Sequence, residues 1–373
     1  MRKRSGFTLI ELLVAMAVVA LLGALLFQVL SMSAETWKSF RNRVSTSQDA
    51  RLAFQRLQGT LSRAVLNSRL DYANAAGNPR TVGDVNFIPT QVARTSQLQF
   101  VSGPASELLP GGSSTMSPGS AVFFQAPMGF TDDPDFSRGQ ELLNSTGFFV
   151  EFGADRSKLP AFLSALPGGM KNRFRLKQWV QPAEKNTIYT STASTAPGDY
   201  FAWFQNSLPS AVGGAAPSGA IPARTLAEDI FAFIALPSTS PAAETAMGGP
   251  ISSDYRYDSR EWAGIGGMTI AGNLKNQDGA SVARSSLMRN QLPPFVKIAA
   301  FALERPDADR LERQHGTTPP PDLAVPADLF VEATKFDDDV LEFERRLLQN
   351  TPPIRARVFR TTVPISSALW SNN

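Results

Sequence analysis

From Phe7 to Leu30 the chain carries one charged side chain, Glu11, inside an almost unbroken apolar run that follows the basic leader Arg2-Lys3-Arg4-Ser5-Gly6. Crossing a bilayer core takes ~20 apolar residues in a helix, so Phe7–Leu30 reads as one transmembrane helix. A carboxylate in hydrocarbon costs on the order of 2.5–3.5 kcal/mol, so Glu11 needs a cation. A cut between Gly6 and Phe7 supplies one, because the new amino group of Phe7 would lie in the same apolar layer as Glu11 of a neighbouring copy. The pattern reads as a docking device between subunits.

The stretch Gly6-Phe7-Thr8-Leu9-Ile10-Glu11-Leu12-Leu13-Val14-Ala15 resembles, nearly position for position, the class III signal of type IV pilins and type II secretion pseudopilins. The resemblance implies that a membrane aspartyl protease, the prepilin peptidase, cuts after Gly6 and methylates the new N-terminal residue, Phe7. It also implies that Glu11 recruits the next subunit. Two other readings stand beside it. A cleaved secretory signal needs a shorter apolar core and a small-x-small cleavage site, and Met32-Ser33-Ala34 is a poor one. A plain uncleaved anchor would carry Glu11 by chance.

At 373 residues the chain has room for one large domain or two modest ones beyond the membrane helix. Its formal charge of +3 comes largely from the leader and from Lys38, Arg41, Arg43, Arg51, Arg56, Arg63 and Arg69. Nucleic-acid binding is not needed to explain that excess, since Trp37, Phe40 and Phe54 fall at helical spacing rather than interleaving a basic stripe. With no cysteine, disulfides, thiolate catalysis and Cys-based metal sites are excluded. Basic residues flank both ends of the span, but Arg2, Lys3 and Arg4 lie nearest to it. That puts the N-terminus in the cytoplasm and the bulk of the chain outside, and the pilin resemblance implies the same, with the span in the inner membrane among its lipids and the C-terminal domain in the periplasm.

The expected organisation is a leader, 1–6, a transmembrane helix, 7–30, an amphipathic helical stem, 31–70, and a β-rich domain, 71–373. The stem has the three-and-four spacing of Trp37, Phe40 and Val44, then Phe54, Leu57, Leu61 and Val65. Its weakly apolar middle, Ser45-Thr46-Ser47-Gln48-Asp49, marks a place to bend or to begin a new helix. Beyond Asp71, short apolar runs separated by glycine, proline, serine and asparagine predict strands at Gln97–Val101, Ala121–Gln125, Gly147–Phe152, Phe174–Val180, Ile230–Leu236, Phe295–Leu303 and Arg355–Pro364. Phe174, Leu176 and Gln178 alternate with Arg173, Arg175 and Lys177, as in a mainly antiparallel sheet wet on one face. Ser102–Ser120, Thr190–Pro222 and Pro237–Gly249 read as loops or insertions without a core of their own. Asp337-Asp338-Asp339 before Val340, Phe343, Leu347 and Leu348 predicts a short helix with acids at its positive end, stopped by Pro352-Pro353. The fold class is α+β: a pilin-like long N-terminal helix packed on a mainly antiparallel sheet.

Chemistry is sparse. The single histidine, His315, lies beside Pro319-Pro320-Pro321 and reads as an exposed loop residue, and zinc sites usually draw on several His or Cys ligands. Asp132-Asp133-Pro134-Asp135, Asp307-Ala308-Asp309 and Asp337-Asp338-Asp339 do not match the EF-hand calcium pattern and read as helix caps or solvated acids. Gly264-Ile265-Gly266-Gly267 has Thr269 where the dinucleotide fingerprint needs its last glycine. No phosphate-binding loop motif is present, and no local pattern singles out a pair of catalytic carboxylates. We therefore expect no enzyme activity, no cofactor and no metal.

Further stretches carry a second resemblance. Leu61-Ser62-Arg63-Ala64-Val65-Leu66-Asn67, Phe123-Phe124-Gln125-Ala126-Pro127-Met128-Gly129-Phe130, Gly147-Phe148-Phe149-Val150-Glu151-Phe152-Gly153, Arg173-Phe174-Arg175-Leu176-Lys177-Gln178-Trp179 and Asn290-Gln291-Leu292-Pro293-Pro294 resemble the Verru_Chthon cassette protein C family of Verrucomicrobia, prepilin-type proteins encoded beside other pilin-like proteins. The order of elements is also similar to the J-type minor pseudopilin of type II secretion, with longer glycine- and proline-rich inserts. The implied partners are the prepilin peptidase and other pilin-like subunits of a type II secretion or type IV pilus-like assembly. A different reading is a membrane-anchored binding module whose loops present Tyr200, Trp203, Phe204, Tyr255, Tyr257 and Trp262 to cargo or a surface ligand. An anchored enzyme is the third.

Overall fold

A computed structural model describes residues 9–75, 80, 83–136, 139, 141–154, 171–191, 200–209, 219–260 and 268–371. The chain divides into two units, Met1–Gln48 and Asp49–Asn373. Helix α1, Leu9–Leu61, contributes to both and is a single element through 45–49, where the sequence suggested a break.

In the second unit α1 is amphipathic. Ala50, Ala53, Phe54, Leu57 and Leu61 recur at steps of three and four and are buried, and full burial of a side chain such as Leu57 stabilises by about 1.5–3 kcal/mol. The helix stops at Leu61, short of the stem boundary at Leu70 expected from its composition. Its last carbonyls are taken up by the residues just beyond it: Gln58 O accepts from Ser62 N at 2.9 Å, Thr60 O from Arg63 N at 3.2 Å and Leu61 O from Ala64 N at 3.1 Å. Val65 N then donates to Gln125 O at 2.9 Å, and Asn67 takes a left-handed φ of 51°, which asparagine tolerates better than most residues.

The strands are β1 Arg69–Ala73, β2 Gln91–Thr95, β3 Val101–Pro104, β4 Ser120–Pro127, β5 Leu143–Ala154, β6 Asn172–Val180, β7 Arg224–Glu228, β8 Ile230–Ser238, β9 Tyr257–Asp258, β10 Asn273–Lys275, β11 Ser281–Ala283, β12 Phe295–Leu303 and β13 Ala356–Pro364. They form a six-stranded sheet ordered β7-β6-β5-β4-β3-β9, a three-stranded sheet ordered β13-β12-β8, and the ribbons β1-β2 and β10-β11. Every pairing between these strands is antiparallel. Three longer helices join them: α2 Pro241–Met247, α3 Arg305–His315 and α4 Phe336–Gln349.

β8 is buried along its whole length because it lies against β3, β4, β5 and β6 of the larger sheet. On the far side of its own sheet, Phe343 of α4 packs on Phe301 and Phe231, with ring centroids 4.9 and 6.0 Å away. The end of α1 holds both sheets: Arg56 Nε donates to Gln178 Oε1 on β6 at 2.9 Å, and the Phe54 ring lies 5.9 Å from Phe359 on β13.

The sheets meet closely at Gly119, which bridges Phe233 with φ +86°. A Cβ there would overlap the Phe233 carbonyl oxygen. Gly119→Ala is therefore expected to destabilise the domain by about 2–5 kcal/mol, read as a drop in the urea midpoint of the purified full chain. An unchanged midpoint would mean the two sheets are not in register as described.

The larger sheet is not wet on either face along β6. Arg173 and Arg175 are 4 % exposed, as buried as Phe174 and Leu176, because α3 and β7 supply acids to the arginines while the other face meets β8 and α1. The supposed insertions also feed the core. In 102–120, Ala105, Leu108 and Leu109 are buried; in the described part of 190–222, Trp203 and Phe204 are fully buried; 237–249 contains the end of β8 and α2. Phe204 stacks on Phe123 at a centroid distance of 3.9 Å and an interplanar angle of 11°.

Candidate assembly and membrane-anchoring site

Of the residues the sequence singles out, Gly6 and Phe7 lie outside the described residues. Glu11 sits in the first turns of α1, and its side chain also falls outside what is described. From Leu12 to Ser33 the helix is long and apolar enough to cross a membrane, and among the described residues none of that stretch is buried. Leu9 is 79 % exposed and Phe27 74 %, figures that only a lipid or protein partner would remove in a folded, soluble state. On the same stretch Ala17, Ala20 and Ala24 fall on one helical face, and no atom lies within 4 Å of where a side chain on Gly23 would begin. Small residues of this kind let neighbouring helices approach closely in lipid.

The remaining candidates are structural. His315 is the last residue of α3 rather than a loop residue, because Pro306 at the start of that helix and Gly316 after it set its limits. Asp133 Oδ1 accepts from Asp135 N at 2.9 Å and Asp132 pairs with Lys185 at 2.8 Å. Asp307 accepts from Arg355 N at 2.9 Å, and Asp339 from Phe330 N at 2.8 Å. Each acid is thus tied to a local donor, and among the described residues no group of His, Asp and Glu is placed to hold a metal ion. The aromatics that looked like loop-borne binding residues mostly belong to the core: Trp203, Phe204 and Tyr257 are fully buried and Tyr255 nearly so, with Tyr200 packed at its edge. Trp262 and Gly264-Ile265-Gly266-Gly267 lie outside the described residues.

An ionic cluster that linear reading did not reveal sits where β6, β7, β8 and α3 converge. Asp229, between β7 and β8, is 1 % exposed with φ +64°. Its carboxylate accepts from Arg173 Nη1 at 2.8 and 3.1 Å and from Arg305 Nη1 at 3.1 Å. Arg173 also donates to Asp309 and, at 2.6 Å, to Glu312. Burial pushes the Asp229 carboxyl up, and the Arg173 and Arg305 guanidiniums pull it back without cancelling that effect. For Arg173 burial acts downward, and the surrounding carboxylates outweigh it, so the guanidinium stays charged. The adjoining cavity of about 20 Å³, lined by Phe152, Phe174 and Leu311 among others, has room for about one water molecule. This is a clasp between α3 and the sheet, and on its outer side Asp309 and Glu312 also line an open groove of about 660 Å³.

A second buried network runs from Trp203 Nε1 to Gln99 Oε1 at 2.8 Å and from Gln99 Nε2 to Asp258 Oδ1 at 2.8 Å. Burial pushes the nearby Arg260 guanidinium down to about 10, against the pull of Asp258. The network joins β9 to the segment carrying Trp203.

Residues 1–27 match the family described as the prokaryotic N-terminal methylation motif. No curated protein and no solved structure gives a significant match to the chain.

Proposed function

Starting from a prepilin-type N-terminus, a substrate pattern for prepilin peptidase, we propose that this chain is a minor pilin-like or pseudopilin-like structural subunit. The leader is cut between Gly6 and Phe7, Phe7 is N-methylated, and α1 holds the protein in the inner membrane with the N-terminus cytoplasmic and the domain from Asp49 onward in the periplasm. Subunits then associate through their apolar helices, Glu11 pairing with the ammonium of a neighbour's Phe7. The machine is a type II secretion or type IV pilus-like assembly, in which the domain acts as a structural part rather than as an enzyme.

The observation that supports this reading is the coincidence of the methylation motif over residues 1–27 with a helix whose Leu12–Ser33 stretch the chain leaves uncovered. Membrane extraction followed by co-purification and mass spectrometry tests it. The expected result is a mature chain beginning at methylated Phe7, accompanied by other pilin-like subunits. An intact leader and no such companions would reduce α1 to a simple anchor.

A further inference from the structure

Away from the membrane helix, an open groove of about 460 Å³ lies between the C-terminal tail and the start of α2. Ligand clefts typically measure about 300–1,000 Å³. One wall is Trp370 and Ser371 with Pro294; the other is Thr239 and Ser240, and Gln277 of the β10–β11 turn closes one side. No charged side chain lines it among the described residues.

The wall that carries Trp370 is unusually well fixed for a chain end. Gln291, 3 % exposed, grips both backbone groups of Ser371: its Oε1 accepts from Ser371 N at 2.9 Å and its Nε2 donates to Ser371 O at 3.0 Å. The Ser371 hydroxyl accepts from Arg94, and Ile365 N donates to Pro294 O at 2.9 Å. These contacts hold the half-buried indole of Trp370 at the groove. Opposite, Ser240 caps α2 by accepting from Ala243 N at 3.3 Å. Thr239 is 4 % exposed, and its hydroxyl has no hydrogen-bond partner among the described residues.

We propose that this groove is a binding subsite for a neutral oligosaccharide. A pyranose ring presents an apolar C–H face, suited to an indole, and a rim of hydroxyls that both donate and accept. Hydroxyl and amide side chains meet that rim in kind, as Ser240, Gln277 and Ser371 would. A phosphorylated or carboxylated ligand would need a cation that the groove does not provide. The site would let the domain touch glycan without any part in catalysis, and it stands independently of how α1 assembles.

The test uses the full chain in lauryldimethylamine oxide, a detergent with no sugar headgroup, titrated with cellotriose, maltotriose and chitotriose by saturation-transfer NMR and calorimetry. Trigalacturonate serves as the acidic probe. At least one neutral trisaccharide is expected to saturate, and to bind at least roughly tenfold more tightly than trigalacturonate. Trp370→Ala is expected to weaken that binding by roughly tenfold or more. Because Trp370 also packs on the core, the exposed Gln277→Ala variant provides a second reading, with a smaller loss and an unchanged melting curve. The proposal is overturned if none of the three neutral sugars saturates the wild-type chain, if trigalacturonate binds as well as they do, or if both variants bind as the wild type does.

Discussion

On the proposed function, Glu11→Ala is expected to leave the domain from Asp49 onward folded and to remove the protein from its assembly. An unpaired carboxylate in the bilayer core is unfavourable by about 2.5–3.5 kcal/mol, and pairing with the ammonium of a neighbour's Phe7 would relieve that, a bias of roughly 100-fold toward the associated state. Alanine at position 11 has nothing to relieve, so the bias disappears while Leu12–Ser33 still crosses the membrane. Cleavage before Phe7 should continue in the mutant, which separates loss of docking from loss of processing. Co-purified pilin-like subunits, quantified by mass spectrometry against the wild type, give the readout. Normal incorporation of Glu11→Ala would sink the docking role assigned to this acid.

The second large effect is expected inside the domain. Arg173→Met leaves Asp229, Asp309 and Glu312 facing one another with Arg305 as the remaining cation of the clasp. Breaking a buried pair from one side typically destabilises by about 3–5 kcal/mol, far more than an exposed pair is worth. The pH dependence follows from the sign of the Asp229 shift. Burial already holds the Asp229 carboxyl above its usual range, and losing Arg173 raises it further. A carboxyl whose folded pKa exceeds its unfolded one weakens the fold at neutral pH, and the fold regains stability as pH falls through the folded pKa. Urea denaturation at a series of pH values should therefore show the deficit of Arg173→Met shrinking on acidification below neutrality. A deficit that stays constant or grows would show that the cluster does not hold the charges assigned to it.

Much of the framework is legible in linear pattern, and the reason lies in strand length. β12 runs over Phe295–Leu303 as its apolar run predicts, β4, β5, β6 and β8 contain their expected stretches with ends moved by a few residues, and β13 starts at Ala356 rather than Arg355. Each is long enough for its own side chains to state its period. The two-residue β9 has no such signal: Tyr257 and Asp258 become a strand because Ser102 and Val101 lie alongside them. The strand expected at Gln97–Val101 appears instead as β3, Val101–Pro104. Gln99 there is committed to side-chain bonds with Asp258 and Trp203, and its N–H donates to Gln125 Oε1 at 2.9 Å.

α3 was hidden for a different reason. Its sequence buries only Ala308 and Leu311, so hydrophobic periodicity is nearly silent, and charge contacts reaching back to Arg173 do the fixing. The alternation along β6 misled in the same way, since it located the arginines correctly on one face but could not reveal the acids that cover them. The anchoring motif is the opposite case. Gly6, Phe7 and Glu11 are close in sequence, and the chemistry proposed for them depends on the lipid around them more than on the fold.

The way α1 enters the domain bears on mechanics. A pull on the anchor would reach the folded unit through Ala50, Ala53, Phe54, Leu57 and Leu61, all of them buried, together with the Arg56–Gln178 hydrogen bond. These contacts belong to one helix gripped by strands of two different sheets, so the load is shared in shear over several side chains at once. No strand end is tugged free first, as would happen if the tether continued directly into an edge strand. A domain built this way is expected to resist extraction force as a block and to yield only when the whole helix slides.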